Sequence, residues 1–540
     1  MFAMPSRNPA ASKYEFYERD SISSLKELVD RDASLYGEKE VFVWTRENKE
    51  QQKSYAELKK DVYTLAVYFN QLPLSKKHFA IVGNSCYEWI LSYLSVVIGG
   101  NVVIPIDKEL SADGIAKLIS SGDVDGLLFD DEYEHLAVSL QEKNQCISQC
   151  IRFSTILEHC QQQPLPEDTA LPEQNVDKMS IILYTSGTTG DSKGVMLSQK
   201  NIAADIIGGC AAIDLSSKDR LLSILPIHHT YELTCGILSM MYFGTTIYFN
   251  RQLKDVSKNL VKYKPTTMMI VPLFAENLYK KIWSEAKKKG KTKTLQRAIK
   301  ISDFLLKCGI DVRRKLFADV HASFGGELRT FVCGGAPLSP TLIKNYSSLG
   351  IYLIEGYGIT ECSPLVAVNT DKWRKMNSVG KKVLNTEIKI VDGEICVKSD
   401  IVMLGYYKNE AETAASFDGE WFKTGDLGYI DEDDFLFITG RKKNLIILSN
   451  GKNVSPEELE TQLGKIEGVL EVIVCGDGNA VMAEIYPDYT LENVESTIRE
   501  CIKEMNSTQP SYKQIGKIKF RDTDFEKTTS KKIKRNYNVS

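Results

Sequence analysis

Short apolar runs alternate with longer amphipathic stretches along most of this chain. "HFAIVGN", "NVVIPID", "GLLFD", "SIILYTSG", "RLLSILP", "TTIYF", "TTMMIVP" and "LRTFVCGGA" are rich in aliphatic and β-branched residues and stop at turn-forming ones, as short buried strands do. "SYAELKKDVYTLAVYFNQL" instead gathers its apolar positions on one face at helical spacing. Strands alternating with helices predict an α/β fold with largely parallel sheets, because a parallel crossover needs a helix to return the chain. The expected body is a large N-terminal domain, residues 1–442, of mixed and parallel sheets flanked by helices. No repeat of fixed period runs through it.

Near residue 440 the texture changes. "GRKKNLIILSNGKNVSPEELETQL" passes from a Gly-Arg turn through a short apolar strand to a proline-started helix, with Ser455 as its N-cap. Strand-like "LEVIVC" and "AVMAEIY", helix-like "LENVESTIRECIKEM" and a basic tail follow. They predict a separate small α+β domain over residues 443–540, an ordinary size for a domain.

Composition narrows the class without naming a chemistry. With 43% hydrophobic and 26% charged residues, 540 residues can bury sizeable cores. A formal charge of −4 offers no global field for nucleic acid, so no such partner is expected. The twelve cysteines are scattered, with no C-x-x-C pair and no Cys/His cluster at zinc-ligand spacing, which predicts reduced thiols and a cytoplasmic location. The first twenty residues hold no continuous apolar segment of the secretory type. "WILSYLSVVIGGNVVIPI", Trp89 to Ile106, is uncharged, yet Gly99, Gly100, Asn101 and Pro105 interrupt it. A buried helix, a turn and a buried strand fit it better than a transmembrane span. The lysine-rich "SEAKKKGKTKTLQR", Ser284 to Arg297, reads either as a solvated helix end and loop or as a peripheral contact with an anionic membrane.

Candidate chemistry enters with "YTSGTTGDSKGV", Tyr184 to Val195. Three glycines let backbone N–H groups converge, five serine and threonine hydroxyls add donors, and Lys193 adds charge. The composition is that of an anion-binding loop, although a surface turn in isolation would look similar. The spacing is not G-x-x-x-x-G-K-[ST], so the P-loop mechanism is not licensed. Downstream stand "LPIHHTYE" (225–232), "CGGAPLS" (333–339), "EGYGITECSP" (355–364), "GEWFKTGDLGYIDEDDFLFITGRKKNLIILSNGKNVSPEELE" (419–460) and "EKTTSKKIKR" (526–535). As an ordered set spread over residues 20–535, these motifs resemble the adenylate-forming superfamily of acyl-CoA synthetases, nonribosomal peptide synthetase adenylation domains and luciferases. "LPIHHTYE" and the "KKIKR" ending are most similar to the long-chain fatty acid–CoA ligases.

The resemblance implies a carboxylic acid substrate, ATP, Mg²⁺ and CoA. Attack of the carboxylate on the α-phosphorus of ATP would give acyl-AMP and pyrophosphate, and a thiol would then displace AMP. Both steps concentrate negative charge, so the site needs donors, cations and Mg²⁺ rather than a protein nucleophile. By motif position, Thr185, Ser186, Gly187, Thr188, Thr189, Gly190 and Lys193 would wrap the β- and γ-phosphates. Gly334, Gly335 and Ala336 would line the adenine and acyl pocket. Tyr357, followed by Gly358, would stack on adenine, Thr360 would touch the α-phosphate and Glu361 would hold Mg²⁺. Asp426 would accept from both ribose hydroxyls, with Arg441 assisting at ribose and phosphate.

Lys532 matches the family's catalytic lysine, which bridges the carboxylate and the α-phosphate; Lys531 and Lys534 are neighbouring competitors. Without the resemblance, such a lysine would be part of a mobile basic terminus. Lys443 falls at the hinge about which the small, mobile C-terminal domain would turn between steps, and Gly451 where pantetheine would pass along the backbone. His229 matches the histidine that closes the acyl side when the thiol enters, while His228 has no assigned role. Thr230 stands where amino-acid-activating relatives carry an aspartate, and a threonine cannot ion-pair with an α-amino group. Together with Glu232, which is like the long-chain ligases, this implies a medium- to long-chain fatty acid or another hydrophobic acid, with CoA as acceptor. Two alternatives stay open: a stand-alone ligase that loads a holo-carrier protein, and a non-catalytic nucleotide-binding scaffold on the same fold.

Overall fold

The computed structural model describes residues 16–46, 49–143, 146–162, 171, 173–185, 192–448, 452–478, 480–527 and 533–535. The chain divides into two compact units that are interleaved along the sequence: Met1–Glu387 with Lys398–Ala415, and Ile388–Val397 with Ser416–Ser540.

The larger unit holds two mixed sheets among the described residues. In the nine-stranded sheet, strands Glu40–Arg46, Thr246–Phe249, Arg220–Ser223, Thr267–Ile270, Thr330–Cys333 and Tyr352–Gly358 run parallel, with antiparallel strands at both edges. In the seven-stranded sheet, parallel strands including His78–Val82 and Val102–Pro105 give way to an antiparallel edge made by Met179–Thr185, Lys193–Ser198 and Gly405–Tyr406. The expected α/β architecture therefore holds. His78–Val82 is buried at every position, which explains why Phe79–Val82 is apolar throughout rather than alternating. The uncharged stretch from Trp89 resolves into the end of the fully buried helix Tyr87–Ile98, a turn at Gly99–Gly100 and the buried strand Val102–Pro105. Among the described residues no helix is long and apolar enough to cross a membrane.

The smaller unit combines an antiparallel sheet, including Glu394–Lys398, Trp421–Ile430 and Leu436–Arg441, with the three-stranded sheet Val469–Asp477, Ala480–Pro487 and Ile515–Phe520. Helices Pro456–Leu463 and Val494–Ser507 supply Leu459, Leu463, Ile498 and Ile502 to a core shared with Val474 and Ile485. Ser455 does stand at the N-cap of Pro456–Leu463, but its hydroxyl donates to the Thr439 carbonyl at 2.6 Å rather than accepting from the first turn. Gly440 permits that approach, since a Cβ there would come within 2.2 Å of Ser455 Oγ. All twelve cysteines are free thiols.

Candidate active site

Thr185 closes one strand of a hairpin, Lys193 opens the other, and their Cα positions are directly paired. Ser186, Gly187, Thr188, Thr189 and Gly190 of the loop they bracket lie outside the described residues. Lys193 forms an ion pair with Glu412 and sits over the Tyr406 ring, 5.2 Å from its centroid. The same Tyr406 donates its hydroxyl to Glu361 Oε1 at 3.0 Å. It reaches both because Gly405–Tyr406 adds a third strand to the hairpin, with Tyr406 opposite Val195. The Met403 N–H donates to the Glu361 carbonyl at 2.8 Å, so backbone and side chain of Glu361 are held by one segment. The cation expected at the phosphates and the carboxylate expected at the metal thus share one tyrosine. Neither Tyr406 nor Glu412 carries a motif signal in the sequence.

Three motif segments collect at the carboxyl ends of parallel strands, where open α/β sheets bind their ligands. Gly334, Gly335 and Ala336 leave strand Thr330–Cys333, and Gly335 needs the left-handed conformation, with φ of +84°. Gly334 fits closely against the Tyr231 ring, 3.2 Å from where its Cβ would be. In the adjacent strand Tyr352–Gly358, Tyr357 is partly exposed, and Thr360 and Glu361 follow in a tight turn. Gly358 is required there: a Cβ would lie 2.2 Å from the Pro364 carbonyl, which folds back to accept from the Ile359 N–H at 2.9 Å.

His229 is exposed, with its ring centroid 4.2 Å from that of the largely buried His228. His228 Nε2 is 3.7 Å from Asp107 Oδ2, yet burial and the neighbouring His229 hold its pKa down to about 3, so it is neutral at pH 7. Thr230 is buried and precedes the π-helix Tyr231–Leu238, a rare form that recurs at functional sites. Within it Glu232 is fully buried, Ser223 Oγ donates to its Oε1 at 2.5 Å, and burial pushes its pKa up to about 8. Two further carboxylates, Glu355 at the start of "EGYGITECSP" and Asp205 outside the motifs, brace the motif loops. Glu355 accepts from the Leu338 N–H at 3.3 Å and is raised by burial to about 7, and Asp205 accepts from the Leu365 N–H at 2.8 Å and is raised well above the usual range.

In the smaller unit, Asp426 and Arg441 are paired across the hairpin Trp421–Arg441, and Arg441 Nε donates to Asp426 Oδ1 at 2.7 Å. Asp426 is buried, and its N–H donates to Thr424 Oγ1. The adjacent Gly425 N–H donates to Glu394 Oε1 at 3.0 Å, while Lys442 holds Glu394 Oε2 at 2.7 Å. Lys443 lies in the exposed turn Lys442–Asn444. Gly451 and Lys532, with its neighbour Lys531, lie outside the described residues. Among the described residues no group of three His, Cys, Asp or Glu side chains could hold a metal. A single carboxylate such as Glu361 nevertheless suits Mg²⁺, which commonly takes one or two carboxylates and completes its shell with substrate phosphates and water.

Comparison with known proteins identifies the family. The AMP-binding enzyme family matches residues 29–407, and the AMP-binding enzyme C-terminal domain matches residues 443–539. Long-chain-fatty-acid–CoA ligase FadD15 of Mycobacterium bovis is 31% identical over 417 residues, covering 72% of this chain and 69% of its own. 2-Succinylbenzoate–CoA ligase of Listeria innocua is 29% identical over 384 residues, covering 70% and 73%. The solved Mycobacterium tuberculosis fatty acyl CoA synthetase shares the fold at a TM-score of 0.69 and 22% identity, over 95% of this chain and 96% of that one. With both family matches in chain order and the strand-end motifs in place, the chain belongs to the AMP-binding enzyme family, as an adenylate-forming acyl-CoA ligase of a family that uses ATP and CoA.

Proposed function

We propose that this enzyme converts a medium- to long-chain fatty acid, or a comparably hydrophobic carboxylic acid, to acyl-AMP and pyrophosphate and then transfers the acyl group to the thiol of CoA. The observation that carries the reading is the shared hold of Tyr406 on Lys193 and Glu361. A phosphate-gripping cation and a metal-binding carboxylate are thereby fixed on one scaffold. The acid class is supported by Thr230, which offers no anion for an α-amino group, and by the activity named for FadD15. The 2-succinylbenzoate relative makes aryl acids the natural counter-test.

In this reading Thr185, Lys193 and the loop between them grip the pyrophosphate that will leave. Tyr357 stacks on adenine, beside the close backbone of Gly334, Gly335 and Ala336. Asp426 accepts from the ribose hydroxyls, with Arg441 holding its charge in place. Mg²⁺, held by Glu361 and phosphate oxygens, would supply neutralisation of the charge at the α-phosphate. Thr360 and Lys532 contact that phosphate, and Lys532 also orients the attacking carboxylate. Residues 443–540 then turn about Lys443, Gly451 admits the pantetheine arm and His229 closes the acyl side.

Carboxylate-dependent ATP–pyrophosphate exchange over fatty acids of graded length, aryl acids and bile-type acids tests the reading. Fatty acids should give the highest kcat/KM, with CoA as the saturable acceptor. Absence of exchange across the whole acid panel, from folded protein, would favour a nucleotide-binding scaffold, and saturable transfer only to a holo-carrier protein would replace CoA as the acceptor. Lys532→Ala should lower exchange on the order of 10²- to 10³-fold while sparing thiolysis of supplied acyl-AMP. If Lys531→Ala does so instead, the lysine assignment shifts by one position.

A further inference from the structure

Helix Thr292–Lys307 has two working faces. On one side Leu295, Ala298 and Ile299 pack against the core of the larger unit, and Ser302 is buried. On the other, at spacings of three and four, stand Lys293, Arg297, Lys300, Ile301, Phe304 and Lys307. With 3.6 residues per turn, Phe304 falls at the middle of this outer face and the cations lie along its flanks. Phe304 is 65% exposed and Ile301 54%. A helix that met only water would carry polar residues at that position.

The surroundings extend the pattern. The preceding helix, Pro272–Lys288, runs into Lys287–Lys289 and ends at Gly290 in the left-handed conformation. Gly309, also left-handed, ends Thr292–Lys307, the Ile310 N–H donates to the Leu305 carbonyl at 2.9 Å, and Ile310 and Leu316 are left exposed. From Lys287 to Lys315 there are eleven basic residues and two acidic ones, in a chain whose net charge is −4. One of the two, Asp311, is already engaged by Arg313 at 2.7 Å. Lys293, Arg297, Lys300 and Lys307 form no ion pair among the described residues.

We propose that this outer face docks on an anionic lipid bilayer, with Phe304 and Ile301 seated at the boundary between headgroups and acyl chains and the flanking cations against lipid phosphates. Stable interfacial attachment takes two signals, an apolar one and a basic one, and this face carries both. Nucleic acid would engage the cations but leave Phe304 and Ile301 in water. A second copy of the chain would bring the same positive charge and be repelled. The surface is separate from the ligase chemistry, and its test requires no knowledge of the acid.

The experiment is co-sedimentation of the full chain with vesicles of phosphatidylcholine alone or mixed with phosphatidylglycerol, over a range of salt. The chain should partition onto the anionic vesicles, bind the neutral ones weakly and be released as salt screens the cations. Lys293→Glu, Arg297→Glu and Lys300→Glu together should lower partitioning on the order of 100-fold. Ile301→Asp with Phe304→Asp should lower it by about tenfold or more. Neither set should change the thermal unfolding midpoint or exchange with a water-soluble acid, because all five side chains are exposed. Absence of partitioning by the wild type would overturn the proposal, as would partitioning unchanged by both sets. Vesicle and duplex-DNA binding that both ignore Ile301→Asp with Phe304→Asp would reduce the face to a general polyanion patch and also overturn it. So would a concentration-dependent dimer broken by that pair without any vesicle binding.

Discussion

In the larger unit, Glu232, Glu355 and Asp205 are buried around the candidate site with a serine hydroxyl or a backbone N–H as partner and, among the described residues, no cation. In the smaller unit, Asp426, Glu394 and Glu484 are as deeply buried, but each meets a cation: Arg441, Lys442, and Lys519 with Arg521. Burial without a counter-charge favours the protonated acid, whereas a close cation keeps the carboxylate ionised. Burial therefore shifts Glu232 and its two companions toward the neutral acid, which lessens the negative charge that they bring to the motif segments. Asp426 is instead ion-paired with Arg441, and a charge-assisted carboxylate is a strong acceptor for hydroxyl groups.

The largest expected effect tests the charged side. Asp426→Asn should lower kcat/KM for ATP in the exchange assay on the order of 100-fold, since it removes a charged acceptor and leaves Arg441 unpaired. A change within about threefold would mean that the pair is structural only. Glu232→Gln tests the neutral side through stability. The folded pKa of about 8 lies above the unfolded value near 4.3, so stability is full below that lower value and is lost as pH rises toward 8. The variant has no proton to lose, and in denaturant titrations its advantage over wild type should grow with pH by up to about 1.4 kcal/mol per unit, then level off above pH 8. A difference that stays constant between about pH 5 and pH 9 would show Glu232 ionised throughout and erase the contrast. The smallest effect concerns the half-exposed pair of the larger unit. Glu412→Ala should shift stability by no more than about 1 kcal/mol in thermal unfolding, because both partners are solvated.

The strands and most helices were legible because each carries its own signal. Phe79–Val82 is apolar on both faces, and helix Tyr55–Gln71 begins on the Ser54–Glu57 capping box. The strand-end placement of Gly334–Ala336 and Tyr357–Glu361 follows from parallel strands that present their carboxyl ends together. Tyr406 and Glu412 were not legible. The strand of Tyr406 is two residues long, too short for any periodicity, and Glu412, in helix Glu410–Ser416, meets Lys193 from 219 positions away. The π-helix escaped for a related reason: over eight residues its wider turn leaves no pattern distinct from an α-helix. The raised pKa of Glu232 comes from burial, against the opposing hydrogen bond from Ser223, and burial is not written beside it in the motif.

The interleaving of the two units has a consequence for how the chain is made. Lys398–Ala415 belongs to the larger unit, although Ile388–Val397 of the smaller unit precedes it on the ribosome. At synthesis rates of roughly 5–20 residues per second, the first 387 residues have time to collapse around their sheets before that segment emerges. What they lack until then is Tyr406, and with it the hydroxyl on Glu361 and the ring beneath Lys193. A nascent chain, or a fragment cut after Glu387, would retain most of the sheet framework yet be missing Met403, Tyr406 and Glu412 at one stroke. The hold on Lys193 and Glu361 is thus completed only by a strand of two residues made after part of the smaller unit.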